Sequence, residues 1–180
     1  DYRHPLLDWA GDRRLVVLTA HRRENCGAPL RQMLRAVRRA AEDFQDIAVV
    51  FPAHPNPLVK ETAKEILNGS RNIKIITPMD VVDFHNIVAR SYLVLTDSGG
   101  IQEEAPALGK PVLVMRDTTE RPEGVAAGTL RLVGTGEADI YRSFVELLTD
   151  DEAYERMSRA SNPYGDGFAS RRIADVLISS

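Results

Sequence analysis

The sequence predicts an α/β fold, a doubly wound parallel sheet of about six strands with helices on both faces. Three observations carry that prediction. Apolar runs of strand length alternate with segments whose apolar residues recur at helical spacing. Gly, Asn and Pro close helices shortly before the next strand. The unusual polar groups all fall just past strand ends, on one edge of such a sheet, whereas the opposite connections around Asp46, Asn72 and Lys110 are plain turns.

Residues 1–13 read as a lead-in, with Pro5 and Gly11 interrupting any helix and Trp9 packing the segment down. Arg14–Thr19 forms the first strand on the continuous run Leu15-Val16-Val17-Leu18. The polar loop Ala20–Ala28 holds His21-Arg22-Arg23-Glu24-Asn25. A helix follows from Pro29 to Phe44, with Leu30, Met33, Leu34, Val37, Ala41 and Phe44 at helical spacing. Ile47–Phe51 is the second strand, leading into the stiff Pro52-Ala53-His54-Pro55-Asn56-Pro57. Asn56 caps and Pro57 starts a helix to Leu67, ended by Asn68-Gly69. Ile73–Ile76 is the third strand, and Asp80 caps a helix over Val81–Arg90. Tyr92–Leu95 is the fourth strand. Ser98-Gly99-Gly100 then turns into a helix with Ile101, Ala105 and Leu108 on one face, closed by Gly109 and Pro111. Val112–Met115 is the fifth strand, Arg116–Gly124 a polar loop, and Leu130–Val133 the sixth strand. Helices over 138–148, 151–160 and 169–177 complete the chain, broken at Asn162–Gly167.

At 180 residues the chain holds one domain with a real core and is too short for two full α/β domains. The net charge of −3 argues against a phosphate-backbone binder, so no nucleic-acid partner is expected, and Arg31, Arg35, Arg38 and Arg39 read as a solvated helix face. Cys26 is the single cysteine, which leaves no intrachain disulfide and fits a reducing, cytoplasmic setting. No apolar run approaches the ~20 residues that cross a bilayer, and no signal peptide is present, so no membrane partner is expected. Position 1 is Asp, and the chain is expected to be a piece of something longer or a processed product.

In doubly wound sheets, ligands sit beyond the carboxyl ends of the strands, where His21, His54, Met79, Ser98 and Arg116–Arg121 fall. Ser98-Gly99-Gly100 reads as an anion site. The first amides of the following helix lack internal partners, the dipole is positive there, and glycine admits an oxyanion closely. Ser98 adds a hydroxyl donor, and Glu104 is placed to accept from a ribose. The bland alternative is a glycine-eased turn with an acidic first turn. His21, beside Arg22 and Arg23, is a candidate phosphate donor or proton carrier, or else a loop histidine capping the next helix. His54 is aimed by its prolines, for a functional or a structural purpose. His85, mid-helix beside Phe84, reads as a packed or exposed helix residue, and His4 as incidental. His21 and His54 lack a third ligand, so no metal is expected. Arg116, Arg121 and Glu123 either contact a sugar or second phosphate or form an intraloop ion-pair set. Asp117 and Glu120 show no spacing diagnostic of an acid–base pair. With no deprotonating carboxylate evident, the chemistry is expected to be completed elsewhere.

Five stretches stand in one order: Thr19-Ala20-His21-Arg22-Arg23-Glu24-Asn25, Asp80–Asn86, Thr96–Pro106, Arg116–Glu123 and Asn162-Pro163-Tyr164-Gly165-Asp166-Gly167. Together they closely resemble the bacterial non-hydrolysing UDP-N-acetylglucosamine 2-epimerases, from Leu15 onward and over the C-terminal half only. The resemblance implies a Rossmann-like domain of a two-domain glycosyltransferase-B-type enzyme, with the active site between the domains. Residues 1–13 would be the interdomain lead-in and 14–180 the UDP-sugar-binding domain. The implied reaction interconverts UDP-N-acetylglucosamine and UDP-N-acetylmannosamine through C2 deprotonation, loss of UDP to 2-acetamidoglucal, and re-addition. The family's catalytic carboxylates belong to the absent N-terminal domain. By the same resemblance Ser98, Gly99 and Gly100 bind the diphosphate, Glu104 the ribose, and Met79 to Phe84 the uracil. Thr119 and Arg121 lie near diphosphate or hexose, and His21 assists at the phosphate or departing UDP. Arg22 and His54 match an allosteric site for a second UDP-N-acetylglucosamine. No nicotinamide or metal cofactor is needed, the full-length enzyme is expected to dimerise through the other half, and its product serves cell-surface polysaccharide synthesis. Three other readings remain open at this stage: a glycosyltransferase donor domain, a hydrolysing epimerase, and a nucleotide-sugar-binding module.

Overall fold

The computed structural model describes residues 2–179. Six strands, β1 (Arg14–Thr19), β2 (Ile47–Pro52), β3 (Ile73–Ile76), β4 (Leu93–Thr96), β5 (Val112–Val114) and β6 (Leu130–Leu132), form one sheet in the order β3-β2-β1-β4-β5-β6. Every neighbouring pair is parallel. The α/β doubly wound architecture expected from the alternating pattern is therefore the one observed. Strand order reverses direction between β1 and β4, which places a crevice beyond their carboxyl ends.

The apolar runs are continuous because both sheet faces are covered, and side-chain alternation then splits each run between two cores. Val16 and Leu18 of β1 face one core, with α2 (Ala28–Asp43), α3 (Pro57–Leu67), α7 (Glu137–Thr149) and α8 (Asp151–Ser158) packed over it. Leu15 and Val17 face the other, with α1 (Pro5–Ala10), α4 (Val81–Arg90) and α5 (Ile101–Ala107). The helical spacing read for α2 is the buried face: Leu30, Met33, Leu34, Val37 and Ala41 are all at most 2% exposed. The clustered arginines of α2 pair outward, Arg31 with Glu65 at 2.5 Å and Arg39 with Asp43 at 3.8 Å.

Two short helices depart from the sequence expectation. Pro5 and Gly11 delimit a helix rather than interrupt one. Pro5 occupies the first turn, where its missing N–H costs nothing, His4 caps it, and Gly11 ends it at φ 56°. Leu6 and Ala10 of α1 are buried in the second core, so this segment is a core element. Leu6→Ala is accordingly expected to cost about 2 kcal/mol or more of unfolding free energy, read by urea denaturation; an unpacked lead-in would give no change. The polar loop after β5 contains a further helix, α6 (Pro122–Ala127), started by Pro122 and stopped by Gly128 in the left-handed region at φ 82°. At the far end, α9 (Ala169–Ile178) contributes no buried residue and carries Ile173, Leu177 and Ile178 at 60–84% exposure.

Candidate functional site

The loops after β1 and β4 leave the crevice side by side and are tied at their roots. Thr19 Oγ1 lies 2.6 Å from Thr96 Oγ1, and Thr96 Oγ1 also accepts the Ser98 amide at 2.9 Å. The next residue, Asp97, is fully buried. A buried carboxylate needs donors, and the His21–Asn25 loop wraps around it to supply them. The His21 amide donates to both carboxylate oxygens at 3.1 Å, the Arg22 amide to Oδ2 at 2.9 Å, and Asn25 Nδ2 to Oδ2 at 2.9 Å. Arg22 Nε adds a bond to the Asp97 carbonyl at 3.3 Å. The sequence-legible His21 and Ser98 are thus held in place by a residue that received no role in the sequence reading. Its signal was a charged side chain directly continuous with four buried strand positions.

Gln102 was likewise passed over. It is fully buried, donates from Nε2 to the Ser98 carbonyl at 3.1 Å, and accepts from Thr119 Oγ1 at 2.5 Å. Thr119 Oγ1 in turn accepts the Arg121 amide at 3.0 Å. The Ser98 turn and the loop before α6 are therefore clamped together, which brings Thr119 and Arg121 to the same edge as Ser98.

Ser98, His21, Thr19, Ile101 and His54 share one cavity of about 210 Å³. The His21 and His54 rings stack at 5.9 Å with 18° between planes. A second cavity of about 530 Å³ is lined by the same two histidines together with Arg22, Arg23, Glu24 and Asn56. Gly99 and Gly100 need no left-handed backbone: neither has positive φ, and Gly100 is right-handed helical at φ −63°. Their contribution is the absence of a side chain between charged neighbours. A Cβ on Gly99 would stand 3.4 Å from Arg22 Nη2, and one on Gly100 3.5 Å from Glu104 Oε1. The turn is flanked by one cation and one carboxylate.

Met79 and Phe84 are half-buried and pack on the same apolar cluster as Ile101, forming a hydrophobic wall beside the turn. Glu104 accepts a partner that the sequence reading took as an ordinary helix residue, His85, whose Nε2 lies 3.2 Å from Oε2. Arg121 Nε donates to Glu103. Arg116, offered as a substrate contact or as part of an intraloop ion-pair set, is 8% exposed and bracketed by Glu120 at 2.5 Å and by Glu24 of the β1 loop at 3.1 Å, so its ion pairs join two loops. Among the described residues, no three His, Cys, Asp or Glu side chains converge as a metal site.

The Arg116 hydrogen bond, helped by a backbone N–H, holds the Glu120 carboxyl down at about 2, from its ordinary 4.5. A depressed carboxylate contributes stability that is full above the unfolded value and lost as pH falls through the folded one. Thermal unfolding of Glu120→Gln should therefore lie below the parent at neutral pH and converge on it between pH 4.5 and about 2. The offset is small because the Glu120 carboxylate is half-exposed.

Residues 2–178 match the profile of UDP-N-acetylglucosamine 2-epimerases. The Bacillus subtilis UDP-N-acetylglucosamine 2-epimerase is 56% identical over 177 residues, covering 98% of this chain and 47% of that protein. The structure of Staphylococcus aureus MnaA with UDP superposes at a TM-score of 0.95, with 52% identity over 98% of this chain and 48% of that one. The Neisseria meningitidis UDP-GlcNAc 2-epimerase bound to UDP-GlcNAc gives a TM-score of 0.88 at 43% identity, over 93% of this chain and 45% of that one. The chain spans about half the length of the curated relatives it matches. It belongs to the UDP-N-acetylglucosamine 2-epimerase family.

Proposed function

We propose that this chain is the nucleotide-binding half of an isomerase that interconverts UDP-N-acetylglucosamine and UDP-N-acetylmannosamine. One observation carries the reading: Ser98, at the head of the Ser98-Gly99-Gly100 turn, shares a cavity with His21 at the sheet's switch point, in a chain 52% identical to a protein solved with UDP. The Ser98 hydroxyl and the Gly99 and Gly100 amides take the diphosphate. These two glycine amides have no protein acceptor among the described residues. Glu104, steadied by His85, accepts from the ribose. Met79 and Phe84 flank the uracil, and Thr119 and Arg121 stand toward the diphosphate and hexose. His21 serves the departing UDP.

The reaction balances without a redox partner. A base removes the C2 proton as the C1–O bond breaks, and its electron pair leaves with UDP to give 2-acetamidoglucal. UDP then returns to C1 while C2 takes a proton on the opposite face. The C2 base belongs to the half of the enzyme outside this chain. That half also covers the apolar face of α9, and the full enzyme is a homodimer. A second UDP-N-acetylglucosamine occupies the neighbouring cavity at Arg22 and His54, sharing the stacked histidines with the first.

A two-dimensional NMR titration with UDP, with ADP as control, tests the site. Shifts at Asp97–Glu104, Met79–Phe84 and His21, larger for UDP, are the expected result. Equal shifts with both nucleotides would leave only a generic phosphate cradle. In the full-length enzyme, the nucleotide sugar UDP-N-acetylmannosamine is the expected product. Free N-acetylmannosamine would overturn the non-hydrolysing route, and transfer of the sugar to an acceptor would make the chain a glycosyltransferase domain.

A further inference from the structure

We infer that Asp97 is a positioning residue for His21: its buried carboxylate holds the imidazole as the Nδ1–H tautomer and leaves Nε2 as the nitrogen that meets the phosphate. Asp97 Oδ1 lies 3.5 Å from His21 Nδ1. At this ion-pair distance the carboxylate attracts a ring N–H and repels a ring lone pair, which favours the proton on Nδ1 in the neutral imidazole. The carboxylate cannot swing away, because the His21 and Arg22 amides and the Asn25 side chain anchor both its oxygens. The stack on His54 fixes the ring plane, and the carboxylate fixes which edge turns inward. An asparagine here would aim an NH₂ group at donors, so the charge and the shape are both required.

The chain's other three histidines are arranged the opposite way. His4 Nδ1 accepts the Leu6 amide at 3.1 Å, and His54 Nδ1 accepts the Asn56 amide at 3.2 Å. His85 turns Nε2 toward the Glu104 carboxylate at 3.2 Å. Each of these settings favours the Nε2–H form. His21 alone is set for Nδ1–H, and of the two histidines that line the cavity with Ser98, His21 and His54, it is the one beside a buried carboxylate.

Long-range proton–nitrogen correlation on ¹⁵N-labelled chain, recorded where the imidazoles are neutral, reads the tautomers directly. The expected spectrum has one Nδ1–H pattern, assigned to His21, beside Nε2–H patterns for His4, His54 and His85. An Nε2–H pattern for His21 overturns the proposal with no variant needed. A second arm uses the full-length enzyme and rests on the epimerase reading above. Asp97→Asn should lower kcat by about tenfold or more while KM moves by less than roughly threefold, and should cost nothing further in a His21→Ala background. An equal loss in both backgrounds would show a merely structural carboxylate and overturn the proposal. A parent enzyme without epimerase activity would refute the functional reading, and the tautomer spectrum would still decide the assignment of Asp97.

Discussion

Phe144→Ala should lower the unfolding free energy by about 3–5 kcal/mol, the usual range for emptying a fully buried aromatic site. Phe144 is among the largest side chains with no exposed surface, and it lies on α7 in the core beneath α2 and the sheet. Ile140 and Leu147 flank it one turn away on the same face, also fully buried, so neighbours anchored on two sides have little freedom to collapse into the space. A domain of this size holds a margin of roughly 5–15 kcal/mol, so the loss removes about a fifth of it or more. Urea unfolding should show a lower midpoint with an unchanged slope, and the melting temperature should fall by roughly 10 °C. Leu177→Ala on α9 is the matched control. Leu177 is 72% exposed in this chain, and its truncation should change stability by less than about 0.5 kcal/mol. In the full-length enzyme, where the other half is proposed to cover α9, Leu177→Ala should become costly while Phe144→Ala keeps its effect.

The legible parts of the fold were those where one physical signal dominates. The run Leu15-Val16-Val17-Leu18 has no polar interruption, and only a strand covered on both faces accommodates that. The stripe of α2 repeats over four turns. The two helices that were misread, α1 and α6, are six residues each, too short for periodicity to accumulate, and each begins with a proline that looks like a breaker in isolation. In the site, His21, Ser98 and Glu104 were legible because strand ends predict where ligand loops fall. Asp97, Asn25 and Gln102 were not, since polar residues next to a glycine turn read as surface, yet all three are at most 6% exposed. Their burial comes from the meeting of the β1 and β4 loops, 72 residues apart at Asn25 and Asp97, and no local pattern encodes it. His85 is the exposed helix residue it was read as, and only its partner, Glu104 on another helix, had no local signal.

Gly99→Asp should weaken UDP binding by about 100-fold, or about 2.7 kcal/mol. The argument separates charge from space and from backbone strain. Gly99 does not have positive φ, so a side chain at this position forces no left-handed conformation. The nearest atom to an added Cβ is Arg22 Nη2 at 3.4 Å, the end of a flexible side chain that can give way. Gly99→Ala should therefore leave the melting temperature unchanged and weaken UDP by less than roughly tenfold. Aspartate adds a full negative charge where the proposed diphosphate sits, and it also engages the Arg22 guanidinium that would otherwise face that anion. The two effects act in the same direction. Glu104→Gln, which keeps the shape but weakens the acceptor proposed for the ribose, should cost about tenfold. Calorimetric titration of the parent and the three variants with UDP gives the ranking Gly99→Asp, then Glu104→Gln, then Gly99→Ala. If Gly99→Asp binds UDP as tightly as the parent, the diphosphate does not lie on this turn, and the second cavity at Arg22 and His54 becomes the place to look.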